Sequence, residues 1–312
     1  MKQAPDPSSV RTPGPWTHRT VSANGISLHV AQADGPADGP LVVLLHGFAG
    51  CWWVWHRQMP ELAAAGYRVV AADLRGYGDS DKPPRGYDAW TLSGDIAGLV
   101  RALGASKAHL IGQGWGGVLA WTAAVLHPRV VSSVGVLGGW HPLALRPELR
   151  RCLYNSEQRR ATGHFYRFQV PMKPERDLVA HDAAAVEHYL RKWAGPAWVD
   201  TPEFGETARY LRSAMQIPGA AHCALEFYRW AFRSLFRGDG RRFAAAMRDP
   251  SPAPVLQLHG RVDGCVLPRT AKASAAWAGP GSWLQELPGV GHYPQLEAPE
   301  KTTELLLKWL AR

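Results

Sequence analysis

"LIGQGWGGVLA", residues 110–120, decides the fold. An apolar run enters a glycine cluster and an apolar helical pattern resumes at once, so a strand turns into a helix with no loop between them. Gly112, Gly116 and Gly117 suit such a bend, because only a residue without a side chain fits beside a neighbouring strand. The helix opening at Trp115 leaves its first backbone N–H groups unpaired and aimed into the bend. A turn of this shape displays whatever stands at its apex, and here the apex is Gly114. Glycine-rich turns also cradle phosphates, but Gly112-Gln113-Gly114-Trp115-Gly116-Gly117 brings its third glycine one position earlier than G-x-G-x-x-G, which argues against a dinucleotide site.

On either side of the bend, short apolar runs closed by glycine or aspartate recur at 41–47, 67–76, 108–114, 130–139, 254–260 and 282–289. Their hydrophobicity is unbroken rather than alternating, which predicts strands buried on both faces of a mostly parallel sheet. Between them, Leu92, Ile96, Leu99, Val100 and Leu103 mark one face of a helix that Gly104 closes. The alternation predicts an α/β fold, a doubly wound sheet. It breaks between residues 140 and 245, where "AAAVEHYLRKWAG", "ETARYLRSAMQ" and "HCALEFYRWAFRSLF" read as helices, and Thr201-Pro202 reads as a helix start. The expected organisation is a flexible segment over 1–18, a core over 19–139 and 246–312, and a helical cap over 140–245.

Composition excludes several functions. With 312 residues, 46% of them hydrophobic, the chain can bury one large core. Its 35 Lys and Arg give a formal charge of +9 but are scattered, with no motif that reads nucleic acid. Cys51, Cys152, Cys223 and Cys265 are far apart and form no CxxC pair, so neither a zinc site nor a disulfide framework is expected and a cytoplasmic setting fits. No apolar stretch near 18 residues suggests a membrane span, and the proline-rich start lacks the pattern of a signal peptide. The 14 Trp point to an aromatic interior or cleft, with Trp52, Trp53 and Trp55 either lining it or packing beneath the cap.

In an open parallel sheet, ligands sit at the carboxyl ends of the strands. There the chain carries Asp263 in "LHGRVDG" and His292 in "GVGHYP", while the N–H of Phe48 in "HGFAG" can aim into the same space as that of Trp115. Bend, acid, histidine is the order of a hydrolase triad. The motifs "HGFAGCWWVWHRQMP", "DLRGYGDSDKP", "LIGQGWGG", "YRFQVP" and "ALEFYRW" occur in sequence. With them the chain resembles the epoxide-hydrolase and haloalkane-dehalogenase branch of the α/β-hydrolase family, most closely the epoxide hydrolases, from about residue 20 to 310.

The resemblance implies Gly-His-Asp-Trp-Gly-Gly at the bend, with the Asp attacking an epoxide carbon to form an ester that a histidine-directed water cleaves. It implies His292 as base, Asp263 as its orienting acid, Phe48 and Trp115 as backbone donors, and Tyr228 as one of two cap tyrosines that bind the epoxide oxygen. Three departures follow. Gly114 replaces the nucleophile, His164 stands where the other cap tyrosine belongs, and Ala49 fills a position that is often proline. Engineered replacements are more commonly Asn or Ala, and the adjacent Gln113 points to natural divergence.

The expected function is therefore a hydrolase acting on a small hydrophobic substrate, in which His292 activates water without a covalent step. The alternatives are a catalytically inactive binder of a small apolar ligand, and a lyase or cyclase that uses His292 as base. Cys51 as a displaced nucleophile has nothing around it to lower its pKa. No metal, organic cofactor, nucleic acid or membrane is implied, and a homodimer is left open.

Overall fold

The computed structural model describes residues 4–312. Near its start, β1 (Trp16–Ala23) and β2 (Ile26–Ala33) pair antiparallel about Asn24-Gly25, whose φ values of 50° and 78° suit a tight hairpin turn. The Asn-Gly signal was readable in the sequence but lies outside the apolar runs that marked the other strands. After the hairpin come β3 (Leu41–Leu45), β4 (Arg68–Ala72), β5 (Ala108–Gln113), β6 (Val131–Leu137), β7 (Val255–Gly260) and β8 (Trp283–Leu287). Among the described residues they form one sheet in the order β1-β2-β4-β3-β5-β6-β7-β8, parallel from β4 to β8. Every residue of β3 and β7 is buried, as their unbroken hydrophobicity requires.

In the first half of the chain the connections are α1 (Gln58–Ala64), α2 (Ala89–Ala102) and α3 (Trp115–Leu126). Asp88 starts α2 by accepting the Thr91 N–H at 3.0 Å, and Gly104 follows its end at φ 76°. Between β6 and β7 the chain runs through α4 (Leu145–Arg151), α5 (Ser156–Arg167), α6 (Lys173–Trp193), α7 (Pro196–Val199), α8 (Pro202–Met215), α9 (Ala220–Ser234) and α10 (Gly238–Ala246). Thr201 caps α8 through the Phe204 N–H at 3.3 Å. Helix α6 is interrupted at Ala180–Ala183, where three residues turn left-handed. The chain closes with α11 (Pro268–Ser274), α12 (Pro294–Glu297) and α13 (Pro299–Leu310). No helix among the described residues is long and apolar enough to cross a membrane.

The expected flexible segment over residues 1–18 falls partly outside the described residues, and from Asp6 onward the structure differs from that expectation. Residues Pro7–Val10 form a 3-10 turn, and Val10 is buried because its carbonyl accepts both Trp52 Nε1 (2.8 Å) and the Tyr210 hydroxyl (2.6 Å). Strand β1 then begins at Trp16. Composition predicts looseness here, but two donors from distant elements anchor the segment.

A buried carboxylate ties this segment to the strand ends. Asp73, directly after β4, accepts the N–H groups of Trp52 (2.8 Å) and Asp79 (3.0 Å) and contacts His29 Nδ1 at 2.7 Å. His29 Nε2 in turn meets His18 Nδ1 at 3.0 Å, and His18 Nε2 donates to the Thr12 carbonyl at 2.8 Å. Burial pushes the Asp73 pKa up, but the hydrogen bonds and neighbouring imidazoles outweigh it and hold the carboxyl below its ordinary value of 3.8.

Replacing Asp73 by Asn leaves the carboxylate's donors facing an amide, and the expected loss is about 3–5 kcal/mol in urea unfolding. Because the folded-state pKa is depressed, this contribution is complete above the unfolded value and fades as pH falls below it. A loss under about 1 kcal/mol would mean that the carboxylate organises nothing.

Candidate active site

The bend is built by exclusion of side chains. A Cβ on Gly112 would lie 2.1 Å from the Gly116 carbonyl carbon, and one on Gly116 would lie 2.2 Å from the Leu45 oxygen. Both contacts are impossible, so α3 can approach β5 and the end of β3 this closely only with glycine at both positions. Gly114 itself holds φ 53° and ψ −118°, a conformation costly for residues with a side chain. Its N–H donates to the Leu137 carbonyl at 2.9 Å. The place its Cβ would take is 3.3 Å from His292 Nε2 and 3.8 Å from Gly47 Cα, so the imidazole faces the bare apex.

The structure joins His292 to Asp263: Nδ1 lies 2.9 Å from Oδ2, on residues 29 apart in sequence. The other carboxylate oxygen accepts the N–H groups of Cys265 (2.7 Å) and Val266 (2.8 Å). A carboxylate only accepts, so Nδ1 carries a proton and, in neutral His292, Nε2 offers its lone pair toward Gly114. Burial pushes the His292 pKa down, but the Asp263 carboxylate dominates and raises it well above 6.5. The carboxylate thus favours the protonated imidazole, and His292 gains its strength as a base as pH rises. Burial keeps the neighbouring His259 neutral, and its Nε2 donates to the Val266 carbonyl at 2.8 Å. Cys265, beside His292, remains a thiol because burial raises its pKa, and the fully buried Cys51 is raised further.

Three residues to which the sequence assigned no role in the site hold the His292 loop. Glu297 accepts the N–H groups of Gly195 (2.8 Å), Gly291 (2.6 Å) and Tyr293 (2.8 Å), joining the end of α6 to the loop after β8. Gln113 donates to the His292 carbonyl at 3.1 Å, and the Trp193 carbonyl accepts the His292 N–H at 2.9 Å. Position 113, adjacent to the apex, was the one readable signal. Glu297 and Trp193 look like ordinary helix residues until the chain is folded.

Aromatic rings from the helical segment close over the bend. Tyr228 lies 5.3 Å from Phe48, 5.2 Å from Trp115 and 5.4 Å from His164 between ring centroids, and His164 lies 4.9 Å from Trp193. Trp193 in turn meets His292 at 5.6 Å. His164 is buried, neither ring nitrogen has a partner among the described residues, and burial drives its pKa well below 6.5. Burial raises the Tyr228 pKa, keeping its hydroxyl protonated. The N–H groups of Phe48 and Trp115 have no acceptor among the described residues.

Trp52 and Trp53 are placed elsewhere. Trp52 is fully buried against Trp16 and His18, while Trp53 stacks on His56 (4.0 Å) and Tyr210 (4.6 Å). Neither ring meets those of His292, His164 or Tyr228, because the turn at 51–55 directs them toward the N-terminal segment and α8. Ala49 adopts φ 54°, which the ring of proline cannot reach, so this loop follows a different path from the one a proline would impose. A pocket of about 320 Å³ touches Phe48, Gln113 and Trp193. A larger one, about 700 Å³ including its mouth, reaches Trp115 but neither His292 nor Gly114. No group of three metal-ligating side chains occurs among the described residues.

Comparison with known proteins agrees with this geometry. The family described as the alpha/beta hydrolase fold matches residues 40–299. An AB hydrolase superfamily protein of Bacillus subtilis is 33% identical over 93% of this chain and 96% of its own length. Epoxide hydrolase B of Mycobacterium tuberculosis is 32% identical, covering 94% and 98%. The solved structure of an epoxide hydrolase from an endophytic Streptomyces superposes with a TM-score of 0.77 at 27% identity, covering 96% of each chain.

The pairing of residues 263 and 292 is open to direct measurement. In 15N-resolved spectra of the imidazole, His292 should titrate well above 6.5, and Asp263→Asn should lower the midpoint by more than about one unit, leaving burial as the remaining influence. Because the folded-state value is raised, the pair's contribution to stability is complete below the unfolded value of 6.5 and declines as pH rises through the raised one. An unchanged midpoint in the variant would remove Asp263 as the cause.

Proposed function

Since this chain belongs to the α/β-hydrolase family and is epoxide hydrolase-like within it, we propose that it hydrolyses a small hydrophobic substrate without a covalent enzyme intermediate. Neutral His292, oriented by Asp263, takes a proton from water through Nε2 as the water oxygen bonds to an electrophilic carbon. For an epoxide, the ring C–O bond breaks toward its oxygen, the resulting alkoxide takes a proton from the Tyr228 hydroxyl, and the proton gained by His292 returns through solvent to restore the phenol. His164 and Tyr228 hold the substrate oxygen, and the N–H groups of Phe48 and Trp115 stabilise negative charge when the substrate is an activated ester.

The observation that carries this reading is the single alignment of Asp263, His292 Nε2 and the apex at Gly114, with 2.9 Å between the acid and the imidazole. An oriented base of this kind has no use in a pure binder. The contrary reading, an inactive protein that binds an apolar ligand, draws its support from Gly114, which removes the covalent nucleophile. In enzymes of the triad type, losing the nucleophile costs orders of magnitude, while a remnant of about 10³–10⁴ over water persists from the remaining groups. Turnover is therefore expected to be slow, and to rise with pH as His292 loses its proton.

The test is a turnover screen with epoxides and activated esters across pH 6–10. Wild type should show a rate that climbs on the alkaline side, and His292→Ala should lower it by about 10²-fold or more. Gly114→Asp should add epoxide opening through an ester, with His292 shifting a few tenths of an ångström to admit the new Cβ. Turnover unaffected by His292→Ala would refute water activation, and ligand-dependent thermal shifts without any turnover would establish the binder.

A further inference from the structure

The pocket lies among α3, α4, α9 and α10, and with its open mouth it spans about 700 Å³. Its walls are apolar, with Trp140, Leu149, Val118 and Phe243 among them. The hydroxyls that reach it are already committed. Tyr87 donates to the Pro83 carbonyl (2.7 Å), Thr122 to Val118 (2.8 Å) and Ser234 to Ala231 (2.8 Å).

Arg146 is the one charged side chain in this lining. It is half-buried, and no hydrogen bond or ion pair engages its guanidinium among the described residues. The nearest charge acting on it is the like charge of Arg150, one turn further along α4, which also has no acidic partner. Trp230 adds an Nε1–H that is buried without an acceptor. No acidic side chain lines the pocket, and the donors left without an acceptor, on Arg146, Trp115 and Trp230, stand beside a large apolar wall. Desolvating a guanidinium against such a wall is costly unless an anion meets it.

We propose that this pocket binds an aliphatic carboxylate, its chain lying against the apolar walls and its carboxylate paired with Arg146. A planar guanidinium meets a carboxylate through two parallel N–H···O bonds, and one arginine neutralises one negative charge. An alkanol leaves the guanidinium unmatched, an alkylamine is repelled, and a doubly charged phosphate ester finds too little positive charge. Trp115 joins this pocket to the bend, since its ring meets Trp140 (5.4 Å) and Phe227 (6.1 Å) on the pocket wall and Tyr228 (5.2 Å) beside His164. The assignment does not require His292 to turn anything over.

Calorimetric titration of the full chain with octanoate, octanol, octylamine and octyl phosphate tests it. Octanoate should bind at least about tenfold more tightly than octanol, and octylamine weakest. Arg146→Gln should abolish the preference for octanoate while leaving octanol unchanged. Ala231→Trp, which fills the pocket, should remove both, with circular dichroism confirming a folded chain. His292→Ala should leave octanoate binding intact, so failure of the hydrolytic reading would remain distinguishable from failure of this one. Equal binding of octanoate and octanol, a preference that survives Arg146→Gln, or tighter binding of octyl phosphate than of octanoate would each overturn the proposal.

Discussion

A helix can leave a strand within one residue only where no side chain stands between them, and this constraint organises the molecule. A Cβ at Gly112 would lie about 2 Å from the backbone of α3 and one at Gly116 about 2 Å from the backbone of β3, so these elements would have to separate if either were replaced. Its closeness aims the start of α3 at the loop after β3 and brings the apex to the imidazole arriving from beyond β8. The apex is bare, yet the backbone keeps a positive φ that would strain any residue with a side chain. Glycine there relieves a cost without changing the architecture.

Buried carboxylates do most of the positioning around that bend. Asp73 fixes the turn at 51–55 and, through two imidazoles, the entry of the chain into β1. Glu297 gathers three backbone N–H groups and so joins the end of α6 to the histidine loop. Asp263 is satisfied on one oxygen by backbone and on the other by His292. Each carboxylate is paired with donors rather than left isolated, which is the condition under which burying a charge is tolerated. The same logic gives the site its electrostatic character, because the carboxylate bonded to His292 raises its pKa while burial among aromatic rings lowers that of His164.

Much of this was legible in residues. Unbroken apolar runs announced β3 to β7, while β8, at the sheet edge, is half-buried along most of its length rather than buried on both faces; the glycines announced the bend, and the placement of Asp263 and His292 after late strands announced their meeting. The hairpin of β1 and β2 escaped because β1 is mostly exposed and polar while β2 mixes His29 and Gln32 into its apolar residues, so its clearest mark was Asn24-Gly25. The anchoring of residues 7–10 escaped because it depends on donors from Trp52 and Tyr210, remote in sequence. The aromatic count was readable, but which tryptophans face the bend was not: Trp193 and Trp115 do, while Trp52 and Trp53 face away.

The sequence by itself determined the layer architecture, the order of bend, acid and histidine, and the absence of a side chain at the apex, since these are written in local hydrophobic period and residue identity. Only the tertiary structure decided the pairing of His292 with Asp263 and the upward shift it causes, the isolation of Arg146 in an apolar pocket and the service of Glu297 to the histidine loop. The physical reason is range. Periodicity and glycine act through neighbours in the chain, whereas the charge state of a buried group depends on what burial removes and what distant partner replaces it.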